Sequence, residues 1–339
     1  MQGTIRFPQR LGILAFLLVA ALASAAQAFS PMRVDHHTHL NSPAIMAFVP
    51  GFCASIKRQH FGDCDAALTT PHAPQELLAQ MDKAHIARAI VLSSAYLAQS
   101  PLMQPPREDA TALMRAANAW TVDLARKHPR RFAAFISVDP LHVDDALAEM
   151  AHWRGNPNVA GLKLHLTASG ADLSRDSDLA DLARVFAAAH DAHWPIVIHL
   201  RTMQMNYGAD DAQRFLEKVL PAAGDTPVQI AHAAGWGGID APTLAALGVF
   251  ADAMAADRER YRHLLFDLSG VATDKASDAD KQAMAALIRK IGVDHFLPGS
   301  DWPYNGVDLA GYYATTFSNL PLSAAEWDII RSNIAPYAR

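Results

Sequence analysis

The chain has 339 residues, 51% of them hydrophobic and 19% charged, with a formal net charge of −5. That apolar content is enough to build a full core and excludes a disordered chain, while the slightly acidic balance offers no basic surface for sequence-independent nucleic-acid binding. Length alone allows about two domains, but a large α/β barrel reaches this size as one unit.

Taken in chain order, the first segment reads as no part of the fold. Arg6 and Arg10 precede an apolar run, Leu11–Ala23, followed by small residues and Ala26-Gln27-Ala28. This is the layout of a secretory signal cleaved after Ala28. The run is too short to span ~30 Å of hydrocarbon as a helix. The two arginines are not adjacent and no cysteine follows, which argues against twin-arginine export and against a lipid anchor. The expected product is an exported protein, periplasmic or secreted, with no stable membrane anchor and with residues 29–339 as a single domain.

Short β-rich runs then alternate with helical stretches. The runs are Met32–Leu40, Arg88–Ser94, Arg131–Asp139, Val159–Thr167, Pro195–Leu200, Pro227–Ala234, Leu264–Gly270 and His295–Trp302. Between them apolar residues recur at three- and four-residue spacing, as in Leu179, Leu182, Ala183, Phe186 and Ala187. Strand–helix alternation implies a parallel sheet, and eight units predict a closed (β/α)₈ barrel. An open doubly wound sheet is the competitor, but no Gly-rich phosphate loop follows the first run. Two segments depart from the pattern. Asn41–Ala73 reads as a long irregular lid loop and contains the only cysteines, Cys53 and Cys64, which an oxidising compartment would pair. A helical tail, Ala310–Asn319 and Ala324–Ile334, is expected on the outside of the barrel.

The polar residues gather at the strand ends, where the active site of such a barrel lies. The first run ends Asp35-His36-His37-Thr38-His39. Alternation places Asp35, His37 and His39 on one face and turns His36 and Thr38 to the other, with His36 toward the helical layer. Imidazoles two residues apart can both reach one metal ion. The fourth run adds Lys163 and His165, the fifth His199 and then Arg201 on the same face, the sixth His232 and the eighth Asp301. Polar groups in apolar strands are costly unless paired or bound to metal, and five strands carrying them at one end call for a common cation. Arg201 is a further candidate for binding an anionic group. His128, His142, His152 and His190 fall in helices or connections and read as ordinary surface or partly buried histidines.

Jointly, Asp35-x-His37-x-His39, Gly161-Leu162-Lys163-Leu164-His165, Ile198-His199, Ala231-His232 and Gly299-Ser300-Asp301-Trp302-Pro303 resemble the amidohydrolase superfamily. The closer resemblance is to its amidohydrolase-related branch, which holds the pyrone-dicarboxylate lactonases and the aminocarboxymuconate-semialdehyde decarboxylase group. The resemblance implies a (β/α)₈ barrel with a divalent metal, expected to be zinc, at its mouth. It assigns His37, His39, His199 and Asp301 to the metal, Asp301 also as general base, and His232 as the second catalytic group, polarising a carbonyl or shuttling a proton. Zinc accepts three imidazoles plus carboxylate or water and lowers the pKa of bound water to about 7. One ion is the favoured arrangement; with two, Lys163 would be carboxylated and bridge them. Otherwise Lys163, with His165 and Arg201, would bind a substrate carboxylate. The expected reaction is hydrolysis of an ester, lactone or amide of a small substrate. Non-oxidative decarboxylation on the same centre is the alternative, and an exported non-catalytic metal-binding protein the third reading, which the presence of both Asp301 and His232 disfavours. A homo-oligomer is compatible with the sequence.

Overall fold

The computed structural model describes residues 32–273 and 275–339; the signal segment expected at Arg6–Ala28 lies outside them. Eight parallel strands succeed one another in chain order. They are β1 (Val34–His39), β2 (Arg88–Leu92), β3 (Phe132–Ser137), β4 (Val159–His165), β5 (Ile196–His199), β6 (Val228–Ile230), β7 (Leu264–Asp267) and β8 (Phe296–Leu297). The helices are α1 (Pro43–Arg58), α2 (Ala66–Thr69), α3 (Pro74–Lys83), α4 (Ala110–Lys127), α5 (Val143–Trp153), α6 (Leu166–Ser169), α7 (Asp176–Asp191), α8 (Ala209–Arg214), α9 (Ala241–Ala256), α10 (Asp278–Ile291), α11 (Leu309–Ala314) and α12 (Ala324–Ser332). The chain closes on itself through the segment after β8: Thr38 and Trp302 form a parallel bridge, and Asp301 N donates to His37 O at 2.7 Å. This is the predicted (β/α)₈ barrel. Each strand is shorter than the run that announced it, because the last residues of each run leave the ladder to build the rim.

Register sorts the two faces. Ala89, Phe132, Ile136, Leu162, Ile196 and Phe266 join the large outer cluster against the helices. Val34, Ile90, Leu92, Phe135, Val197, Leu265 and Leu297 form a separate cluster inside the barrel. Gly161 is required for that interior: a Cβ there would stand 2.3 Å from the Phe135 ring and 2.6 Å from Pro195 O.

Three expectations need correction. Strict alternation fails in β1. Asp35 pairs with Ala89 but Thr38 with Val91, so three residue steps on β1 oppose two on β2. That is a β-bulge, and it brings both His36 and His37 to the inner side. Asp35 holds the bulge from the outer face by accepting from His37 N (3.1 Å) and Ser300 N (3.0 Å). His36 therefore does not face the helical layer. Its Nδ1–H donates to Pro298 O and its Nε2 accepts from Ala335 N, 3.0 and 3.2 Å away.

Second, Asn41–Ala73 is not an irregular loop. Ser42 caps α1, accepting from Ile45 N at 3.1 Å, with Pro43 in the first turn, and Ile45, Phe48, Val49 and Phe52 form its buried face. The segment still covers the barrel mouth, and Cys53 in α1 is disulfide-bonded to Cys64 ahead of α2. Third, α11 and α12 lie outside as expected, but the residues after them turn under the barrel, where Ala335 and Ala338 join the interior cluster.

The bridge closes only an eleven-residue span, so it restrains the cover rather than the barrel. A Cys53→Ser/Cys64→Ser double variant is expected to melt no more than about 6 °C lower, while limited proteolysis between Gln59 and Asp65 accelerates markedly. Parallel melting curves and digestion time courses check both.

Candidate metal centre

The rim residues come from five strands or the turns just beyond them, and the bulge in β1 decides how His37 and His39 meet. His37 and His39 place their Nε2 atoms 3.2 Å apart, with Asp301 Oδ1 at 3.4 and 3.3 Å from them. The proton positions follow from the partners. His39 Nδ1 lies 3.1 Å from Leu92 O, which can only accept, so Nδ1 carries the hydrogen. His37 Nδ1 donates to Asp267 Oδ2 at 3.0 Å. Burial keeps both rings neutral, pushing His37 down to about 4 and His39 in the same direction. Both Nε2 atoms are therefore lone pairs, facing each other and a carboxylate oxygen. Three acceptors converge with no hydrogen between them, and a cation is the partner this set calls for. Ligand atoms about 2.0–2.1 Å from a tetrahedral ion stand roughly 3.3 Å apart, which is the spacing of these three. The residues fit a divalent metal.

Asp301 sits at φ 57°, and His232, Ala233 and Ala234 have φ of 54°, 49° and 69°, all in the left-handed region that non-glycine residues avoid. Both residues assigned to proton transfer are thus held by strained backbone at the rim. His232 Nδ1–H donates to Ser269 O at 2.8 Å, which leaves Nε2 as its lone-pair nitrogen in the cavity wall.

The expected residues are not equally placed. His199 and His165 stack with ring centroids 4.1 Å apart, and both line the cavity with His37, His39, His232 and Asp301. His199 Nδ1 is buried without a hydrogen-bond partner among the described residues, although the ring stands outside the tight His37–His39–Asp301 group. Lys163 is 1% exposed, and its Nζ has no hydrogen bond or ion pair among the described residues. Burial lowers it to about 8, partly opposed by Asp267 and Asp301. Arg201 is elsewhere: β5 ends at His199, and the guanidinium beyond it bonds Asp240 Oδ1 (2.9 Å) and Thr243 Oγ1 (3.2 Å) between the rings of Tyr207 and Trp236. It does not line the cavity. A second group, His37, His232 and Asp267, shares His37 with the first.

Asp267, which sequence reading passed over, anchors this network. It is fully buried and accepts from His37 Nδ1, Gln229 Nε2 (2.6 Å), the Ser269 hydroxyl and His232 N (3.1 Å). Burial opposes its ionisation, but these donors hold its carboxyl far below the usual range. Its signal was available, since an aspartate ends β7 where histidines end β1, β4 and β5. Tyr96, Tyr304 and Trp236 were also missed; they wall a cavity of about 250 Å³ together with Phe52, Ile56 and Leu68 of the cover.

A family model described as amidohydrolase matches residues 34–325, so the chain belongs to the amidohydrolase family. No curated protein matches it by sequence. Among solved structures, 5-carboxyvanillate decarboxylase of Sphingomonas paucimobilis is similar with a TM-score of 0.60 and 16% identity over 89% of this chain and 97% of that one. For 2,6-dihydroxybenzoate decarboxylase of Rhizobium the values are 0.58, 16%, 89% and 96%. An amidohydrolase of Burkholderia multivorans with bound zinc gives 0.53, 17%, 88% and 95%. At these identities the likeness is one of fold.

His37→Ala and His39→Ala are each expected to lose most of the bound metal, measured by elemental analysis of dialysed protein. Arg201→Gln should keep it.

Proposed function

We propose that the protein is a metal-dependent decarboxylase of a small aromatic or cyclic carboxylate. The observation that carries this reading is Lys163, the only lysine or arginine among the described residues lining a largely apolar and aromatic cavity, beside the His37–His39–Asp301 group. An unpaired buried ammonium there is complementary to a carboxylate, and the tyrosines, Phe52 and Trp236 suit a flat ring. The two decarboxylases of similar fold act, by their names, on ring-borne carboxylates. Zinc is the ion we assign, on the N/O donor set and on its presence in the Burkholderia relative. One ion suffices, because Asp267 is already saturated by His37, Gln229, Ser269 and His232.

When bound, the cation supplies Lewis acidity at His37, His39 and Asp301. His199 lines the same cavity and is the candidate for a further ligand. Lys163 orients the substrate anion, with His165 beside it. The apolar cover of Phe52, Ile56 and Leu68 keeps water from the carboxylate that is to leave, which favours departure of neutral CO₂. When the carbon–carboxylate bond breaks, its electron pair stays on the ring carbon. That carbon takes one proton, drawn from solvent and relayed through Asp301 or His232 Nε2, and a C–H bond replaces the bond lost. Hydrolysis of a lactone or ester is the second reading. It is favoured by Asp301, whose side chain keeps 16% exposure and can take a proton from an attacking water. Export to the periplasm or beyond is proposed from the Arg6–Ala28 pattern and is in keeping with the Cys53–Cys64 bridge.

Assay of zinc-loaded protein for CO₂ release from hydroxylated benzoates, against ring opening of lactones, separates the readings. CO₂ release with no lactonase activity is expected, and the reverse overturns the first. Asp301→Asn and His232→Asn should each lower turnover by about 10²–10⁴-fold under single-turnover conditions. Lys163 is charged below about 8 and neutral above it. Substrate affinity should therefore fall as pH rises through that value, and a Lys163→Met variant should show a raised KM without this dependence.

A further inference from the structure

The carboxy-terminal residues reach the metal centre from below. After α12, Ala335 N bonds His36, and the 3₁₀ turn Pro336–Ala338 brings the Tyr337 ring beneath the barrel floor. There it meets His36 edge-on at 6.4 Å and Phe135 at 5.5 Å, a contact that the absent side chain of Gly161 permits. Its hydroxyl donates to Gln229 Oε1. Gln229 is fully buried, and its Nε2 donates to Asp267 Oδ2 at 2.6 Å and to His36 O at 3.3 Å. The same Oδ2 accepts the hydrogen of His37 Nδ1. One line of hydrogen bonds thus runs from Tyr337 to a residue of the metal group.

We propose that Tyr337 is a positioning residue for the metal centre, acting through Gln229 and Asp267 on His37. The amide of Gln229 has one orientation in which it serves both neighbours, with oxygen toward Tyr337 and nitrogen toward Asp267. The reverse would set its oxygen against the carboxylate. Donation from Tyr337 fixes the oxygen in place and, by polarising the amide, strengthens the N–H bond to Asp267. Asp267 in turn holds His37 as the Nδ1–H tautomer and aims Nε2 at the ion. Groups that orient a ligand histidine directly change metal affinity by about 10–100-fold when removed. Two bonds further out, the effect is expected to be roughly threefold to tenfold.

The inference rests on the metal assignment above, and the test keeps the two apart. The full chain and its variants are titrated with Zn²⁺ against a chromophoric chelator, and the visible absorption of the Co²⁺ forms is recorded. Wild-type protein that binds neither ion overturns the metal centre itself. Given binding, Tyr337→Phe keeps the ring and its packing, so the apo protein should melt close to wild type while Kd for Zn²⁺ rises threefold to tenfold and the Co²⁺ bands shift. Gln229→Met should weaken metal at least as much, and adding Tyr337→Phe to it should cost nothing more. An unchanged Kd and spectrum in Tyr337→Phe, or additive losses in the double variant, would overturn the proposal. Should Tyr337→Phe fail to accumulate, Gln229→Met decides alone, since a wild-type Kd in that variant breaks the line at its middle.

Discussion

Three lone-pair atoms brought within 3.4 Å of one another are the constraint around which this barrel is organised. Neutral imidazole nitrogens and a carboxylate oxygen repel, and nothing local to any one strand would choose such a meeting. It is imposed by backbone. His39 N bonds Trp302 O and Asp301 N bonds His37 O, so the contacts that close the barrel are also the ones that press these acceptors together. Closure and a cation site are one arrangement described twice.

Keeping such a site requires that every proton nearby be assigned. Asp267 and Leu92 O fix the tautomers of His37 and His39, while Ser269 O fixes that of His232. The strained backbone at Asp301 and His232 belongs to the same arrangement, because side chains leaving a parallel strand in ordinary conformation would alternate away from the rim. Gly299 contributes by absence: a Cβ there would stand 3.0 Å from that of His37.

The barrel was legible in the sequence because parallel strands, buried on both faces, announce themselves as compact apolar runs, and eight of them recur. So were His37, His39 and Asp301, which the structure does bring together. What alternation could not supply was the bulge, since an extra residue in β1 leaves no mark on hydrophobic periodicity; His36 was therefore turned to the wrong side. The cover was misread for a different reason. Pro50-Gly51 interrupts the helical pattern, although Ser42-Pro43 is a helix start and Ile45, Phe48, Val49 and Phe52 keep helical spacing. Arg201 was placed by continuing a strand that ends two residues earlier. Tyr337 lay beyond any local pattern, because its partner Gln229 is 108 positions away.

Seating the final residues under the barrel also governs when the molecule can be finished. The strands pair with neighbours in chain order, so the wall can be laid down progressively as the polypeptide is made. The floor cannot. His36 stands near the beginning of the folded chain and waits for the amide of Ala335, 299 positions later. A chain folded as far as α12 but with Ala335 not yet seated is thus a wall without a base. The interior becomes complete only when residues 335–338 are seated, which joins parts of the chain 299 positions apart.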